Sequence, residues 1–202
     1  MRIAIIDYDV GNMRSVEKGF AYVGVPAKVT SDPSEIESAD ALVLPGVGAF
    51  ESGMRHIEPL RKVVLGRVDA GVPLLGVCLG MQMLYDESEE NGLHRGLGLV
   101  RGRITRFSNG LKVPHMGWNS LEITKRHPML DGIKNGSFVY FVHSYKAPVS
   151  DDTVAAADYG GEFTAIVSGD RANVVGTQFH PEKSGETGLR MLKNFAKTAK
   201  VV

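Results

Sequence analysis

The single cysteine of this sequence lies between two glycines in Gly76-Val-Cys78-Leu-Gly80, the segment best suited to covalent chemistry. A Gly-x-nucleophile-x-Gly spacing marks a sharp strand-to-helix turn. That turn crowds the residues two before and two after the nucleophile, which favours glycine at both. A sulfur at the head of a helix meets free N–H groups and the positive end of the helix dipole, which favour thiolate over thiol. Without such context a free cysteine is usually a small buried apolar side chain. The flanking glycines, the apolar run before Cys78 and the helical stretch after it favour a nucleophile instead.

A thiol nucleophile needs a base, and the base needs a group that fixes its tautomer and stabilises the imidazolium. His180 and Glu182 can supply both: they stand two apart at the end of an apolar strand, so extended backbone would aim them the same way, with Pro181 restricting the chain between them. The other histidines, His56, His94, His115, His127 and His143, are not paired with Cys or carboxylates at metal-ligand spacing, so no metal site is expected. Acyl transfer also needs donors for a developing oxyanion. The Leu79 N–H is one candidate, and Pro45-Gly-Val-Gly48, which follows a predicted strand, is a second. Two other readings of Gly46-Val-Gly48 are a plain turn and the start of a dinucleotide fingerprint, whose third glycine position is Glu51 here.

These residues require a scaffold that brings distant loops together, and the first half of the chain reads as strands joined by crossover helices. Strands are predicted at 3–6, 27–30, 41–44 and 74–77. Helices are predicted at 12–23, ended by Gly24, at 50–69, with Pro59 starting or kinking a turn, and at 79–85. From Leu97 the pattern becomes β-rich, with segments at 99–107, 121–124, 138–145, 154–159, 163–167 and 174–179, so the sheet should turn mixed or antiparallel; a helix over 189–199 follows. No repeat or linker divides the chain, and a single domain over residues 1–202 is expected.

Composition narrows the function classes. Of 202 residues, 43% are hydrophobic, and 23 Lys plus Arg balance 23 Asp plus Glu, so no overall field draws the chain to a polyanion or an acidic membrane. Nucleic acid and membrane are therefore not expected partners. One cysteine cannot form an intrachain disulfide, and the apolar run at Ile3 to Ile6 is too short for a signal peptide or a membrane span, which fits a cytoplasmic location.

Taken together, Pro45-Gly-Val-Gly48, Gly76-Val-Cys-Leu-Gly-Met-Gln82 and Gln178-Phe-His-Pro-Glu-Lys-Ser184 resemble the class I, triad-type glutamine amidotransferases in order and spacing. The resemblance implies an α/β fold of three layers, a flavodoxin-like mixed sheet with helices on both faces and a β-rich second half. It implies that Cys78, His180 and Glu182 form a triad hydrolysing glutamine through a glutamyl thioester. Val47, Gly48 and Leu79 become oxyanion and substrate-backbone contacts, Gln82 a contact to the substrate head group, and Ser144 and Tyr145 positions whose backbone does the same. No cofactor is implied.

Within that family, Pro114-His115-Met116-Gly117-Trp118-Asn119, with Phe141-Val-His-Ser-Tyr145 and Lys183-Ser184, is similar to the glutaminase subunits of imidazole glycerol phosphate synthases. Those subunits form heterodimers with a (β/α)8-barrel cyclase, which uses the ammonia to form imidazole glycerol phosphate and aminoimidazole carboxamide ribotide in histidine biosynthesis. No barrel is present in the sequence, so a separate partner chain is implied. Its expected contacts are residues 114–119, where Trp118 is the only tryptophan, together with Asn12 and Lys183. Gly185 departs from the bulkier polar residue expected after Lys183-Ser184. The rival readings are a glutaminase serving another synthase, a free-standing γ-glutamyl-type cysteine hydrolase, and a partner-binding domain with an inert thiol.

Overall fold

The computed structural model describes residues 2–108, 110–169 and 171–199. The first half alternates β1 (Ile3–Ile6), α1 (Met13–Tyr22), β2 (Ala27–Thr30), α2 (Pro33–Glu37), β3 (Ala41–Leu44), α3 (Phe50–Asp69), β4 (Leu74–Val77) and α4 (Leu79–Met83). Strands β1, β3 and β4 are buried at every position, as continuous apolar runs covered on both faces must be. Gly24, at φ +74°, ends the first helix in the left-handed region that glycine enters without a Cβ penalty. Four helices depart from expectation: α2 was not predicted, and α5 starts at Gly185, four residues before the predicted start. α3 continues through Pro59, which lies on its exposed side. α4 stops at Met83, because the chain passes straight into a strand at Tyr85.

The second half comprises β5 (Tyr85–Ser88), β6 (His94–Arg95), β7 (Val100–Arg106), β8 (His115–Ser120), β9 (Glu122–Ile123), β10 (Phe138–His143), β11 (Tyr145–Lys146), β12 (Thr153–Asp158), β13 (Glu162–Val167), β14 (Val174–Thr177) and α5 (Gly185–Thr198). The predicted strand over 138–145 is broken at Ser144, and its two pieces join different sheets.

The main sheet has eight strands in the order β2-β1-β3-β4-β14-β13-β12-β9. Its first five strands are parallel, and β13, β12 and β9 continue it antiparallel, so the sheet is mixed as the patterning required. Helices α1 and α5 cover one face, burying Val16, Phe20, Leu192 and Phe195 against Ile3, Ile5, Val43 and Leu75. Helices α2 and α3 cover the other, with Ile36, Ile57 and Val64 against Ile6, Leu42 and Leu44. That arrangement is a three-layer α/β fold. A two-stranded antiparallel pair, β8 with β10, adds to the first face, and a four-stranded sheet, β11-β7-β5-β6, adds to the second.

Candidate active site

Strands β3, β4 and β14 are parallel neighbours, and each delivers one part of the site at its C-terminal end. The register pairs Leu44 with Gly76 and Val77 with Thr177. Pro45–Gly48, Cys78 and His180 therefore leave one edge of the sheet together, where open α/β sheets hold their ligands.

Cys78 has φ +54°, a left-handed conformation that costs a non-glycine residue about 1–3 kcal/mol and persists only where its surroundings enforce it. Those surroundings explain both glycines. A Cβ on Gly76 would stand 2.8 Å from the Gly80 carbonyl oxygen and the Met81 nitrogen, and one on Gly80 would overlap the Leu44 carbonyl oxygen. The elbow is thus closed on itself and pressed against β3. The Cys78 N–H donates to the Thr177 carbonyl at 2.7 Å, and the residue is 7% exposed.

His180 and Glu182 meet by a route other than the predicted extended one. Pro181–Lys183 forms a 3-10 turn, which brings His180 Nδ1 within 2.8 Å of Glu182 Oε1, with both side chains at most 2% exposed. Ser184 holds this turn: its hydroxyl donates to the His180 carbonyl at 2.6 Å and accepts from the Tyr140 N–H at 3.0 Å. Gly19 of α1 makes room for the pair, since a Cβ there would press on Leu192 and on Glu182. Burial alone pulls the His180 pKa down. Interaction with Cys78 and then with Glu182 outweighs it and raises the value to about 9. His180 Nε2 and Glu182 Oε2 are both buried without a hydrogen-bond partner of normal geometry. Unsatisfied buried polar atoms are rare, so two in one side-chain pair call for an explanation.

A cavity of about 300 Å³ opens over Cys78 and His180, lined by Val47, Gly48, Leu79, Gln82, Ser144 and Tyr145, together with Glu90, Pro114, Val142 and His143. All nine catalytic and substrate candidates except Glu182, which stands behind His180, therefore face one space. Gln82 does so as a brace: its amide donates to the Tyr145 carbonyl and to Gln178 Oε1, each at 3.0 Å. Gly46 is buried against the Tyr8 hydroxyl, while Gly48, at φ +101°, is open. Tyr8 donates to the Pro45 carbonyl at 2.5 Å.

Sequence reasoning misses Glu90. Among the described residues it is the one acidic side chain lining this cavity, and its Oε2 accepts from the Phe50 N–H at the start of α3 at 2.7 Å. It belongs to the acidic run Asp86-Glu-Ser-Glu-Glu90, where composition alone reads as a solvated turn.

The partner candidates divide between the two sides of β8. Met116 and Trp118 point outward, 61% and 56% exposed, beside Phe138 and Tyr140 of β10. His115 is buried and Asn119 half-buried on the opposite side, so these two do not share the outward surface of their neighbours. Pro114 lies at the cavity, Lys183 is exposed, and Asn12 is half-buried at the start of α1. Gly185 has φ +57° and lies next to the Trp118 ring, so backbone conformation accounts for the glycine there. Among the described residues no group of three or more His, Cys, Asp or Glu could hold a metal ion, and no helix is long and apolar enough to cross a membrane.

Residues 4–199 match the family described as glutamine amidotransferase class-I, and the chain belongs to that family. Solved structures agree on the fold: PurLQS from Thermotoga maritima superposes with a TM-score of 0.79 at 18% identity, covering 98% of each chain. A putative GMP synthase subunit from Thermoplasma acidophilum gives 0.75 at 19%, covering 99% of this chain and 94% of that one. Within the class, the sequence is similar to proteins named imidazole glycerol phosphate synthase subunit HisH. The one from Methanosarcina acetivorans is 52% identical over 96% of this chain and 97% of its own length. The one from Methanothermobacter thermautotrophicus is 54% identical over 96% of each.

Proposed function

We propose that this chain, as one glutamine amidotransferase domain, is the glutaminase subunit of an imidazole glycerol phosphate synthase and works through a Cys78-His180-Glu182 triad. The observation that carries the reading is the strained Cys78 facing a buried imidazole. That imidazole has Nδ1 held by Glu182 and leaves Nε2 uncommitted.

The Cys78 thiolate attacks the side-chain carbonyl carbon of glutamine, with the charge on oxygen received by backbone N–H groups of Leu79 and of the Val47–Gly48 segment. As the tetrahedral species collapses, the C–N bond breaks and imidazolium at His180 gives its proton to the departing nitrogen, releasing ammonia. Neutral His180 then takes a proton from water attacking the glutamyl thioester. The C–S bond breaks, and glutamate leaves with the ion pair restored. Glu182 keeps the imidazole oriented throughout and stabilises its charged form. The substrate's ammonium group fits against Glu90, and its carboxylate against the backbone of Ser144 and Tyr145.

The ammonia passes to a (β/α)8-barrel cyclase subunit, forming imidazole glycerol phosphate and aminoimidazole carboxamide ribotide in histidine biosynthesis, a cytoplasmic process. The outward Met116, Trp118 and Phe138 beside the cavity, with Lys183, supply a surface for that heterodimer. Glutamate release from glutamine, measured alone and with the cyclase and its nucleotide ligand, tests the whole reading. Release that needs the partner and vanishes in Cys78→Ala supports it. Release indifferent to the partner points to another synthase or a free-standing hydrolase, and no release under any condition overturns it.

A further inference from the structure

Two buried histidines outside the triad lie between the outward strand β8 and the wall of the cavity. His115 Nδ1 is 3.1 Å from His143 Nε2, and His143 Nδ1 is 2.8 Å from the Tyr145 carbonyl oxygen. The bonding pattern fixes both tautomers. A carbonyl only accepts, so His143 carries its proton on Nδ1 and offers a lone pair at Nε2. His115 must therefore donate from its own Nδ1, which leaves its Nε2 as an acceptor for the Asn119 amide at 3.4 Å. Asn119 is anchored in turn on the Asp158 carbonyl at 2.7 Å.

The surroundings keep both rings neutral. His115 stacks on Tyr159 at 4.1 Å and on Phe141 at 5.0 Å, and Phe107 and Phe163 approach both imidazoles. Burial among these rings lowers the His115 pKa to about 4 and that of His143 to about 3. Two neutral δ-protonated imidazoles in series form a rigid bracket with no spare proton.

The bracket ends on a backbone group of the cavity. The Tyr145 carbonyl accepts from His143 and, at 3.0 Å, from the Gln82 amide, so both its lone pairs are occupied. That double anchorage falls where the chain breaks between β10 and β11 and turns Ser144 and Tyr145 toward the cavity. We infer that His115 and His143 are positioning residues for the amino-acid head group of the substrate: as a neutral δ-tautomer pair they hold the Ser144–Tyr145 backbone in register with Cys78. The inference rests on the glutaminase reading for its kinetic part only.

The test begins with the native chain. Long-range proton–nitrogen NMR of the imidazole rings is expected to find His115 and His143 neutral with protons on Nδ1 from pH 5 to 9. Protons on Nε2 in either ring would overturn the bracket regardless of activity. Kinetics of glutamine hydrolysis, measured with the cyclase and its nucleotide ligand present, then separate positioning from bulk. His143→Phe, which fills the aromatic cage but donates nothing, should raise KM about tenfold with kcat changed far less, because the loss falls on binding of the head group. His143→Asn keeps a donor near the place of Nδ1 and should recover most of that KM. If both variants keep the native KM, or both lose kcat alone, the positioning role is wrong. If the native chain showed no Cys78-dependent hydrolysis even with the cyclase and its nucleotide ligand present, that would instead count against the glutaminase reading and leave the NMR result to judge the bracket.

Discussion

His180 is subject to opposing influences, and their balance can be measured. Burial favours the neutral ring, while Cys78 and Glu182 favour the charged one and raise the pKa from 6.5 to about 9. A pKa raised on folding contributes stability that is fully present below pH 6.5 and lost as pH climbs toward 9. The native chain should therefore lose melting temperature across that window relative to His180→Asn, in which this slope is absent. The His180 ring followed by NMR should titrate near pH 9, and lower in Cys78→Ala; an unchanged midpoint in that variant would break the proposed coupling. Tyr8 carries a second prediction at this scale. Burial, with a smaller contribution from Cys78, holds its hydroxyl protonated and donating to Pro45, so Tyr8→Phe strands a buried carbonyl at a cost of about 1–3 kcal/mol by denaturant unfolding. That Cys78, His180 and Glu182 would lie together was legible because the one cysteine sits between two glycines and the His and Glu stand two apart after a strand. Glu90 was not, since what distinguishes it is the Phe50 N–H it accepts from, 40 residues away.

At the scale of elements, burial decides how much of the pattern survives into sequence. β1, β3 and β4 were readable as short continuous apolar runs, and α1 and α3 because each shows a helical period with one buried face. β8 was not. Its inward residues are His115, Gly117 and Asn119 and its outward ones Met116 and Trp118, so the usual apolar-in, polar-out alternation is inverted. α2 carried its signal in a cap instead of a period: the Asp32 carboxylate accepts from the Ser34 N–H, and Pro33 opens the helix. The helix after Cys78 was overrun by two residues because Leu84 and Tyr85 continue an apolar stretch that in fact enters β5. The elbow shows how tightly elements constrain one another. Gly80→Ala would drive a Cβ into the Leu44 carbonyl of β3, so the strand or the elbow must move. A destabilisation of about 3 kcal/mol or more is expected. A Gly80→Ala chain with native stability and native Cys78 alkylation rate would contradict the packing account.

On the scale of the whole molecule, the parallel strands aim chemistry at one end of the sheet, and β8 with β10 presents an apolar face next to it. Met116, Trp118 and Phe138 are all more than half exposed, an arrangement that hydrophobic burial disfavours in a chain acting alone. Trp118 stands at the middle of β8, edge-on to Tyr140 at 6.0 Å and near Gly185, which opens α5 just after the turn that carries Lys183. An aromatic ring fixed before binding loses little freedom when covered, which is what gives such side chains a large share of interface energy. If the proposed barrel cyclase docks on this face, Trp118→Ala should therefore weaken that association by about 2 kcal/mol or more, roughly thirtyfold in Kd. Lys183→Ala should cost less, since an exposed lysine is well solvated before binding. Isothermal titration of each variant against the cyclase measures both, and a Trp118→Ala chain that binds with native affinity would move the partner off this face.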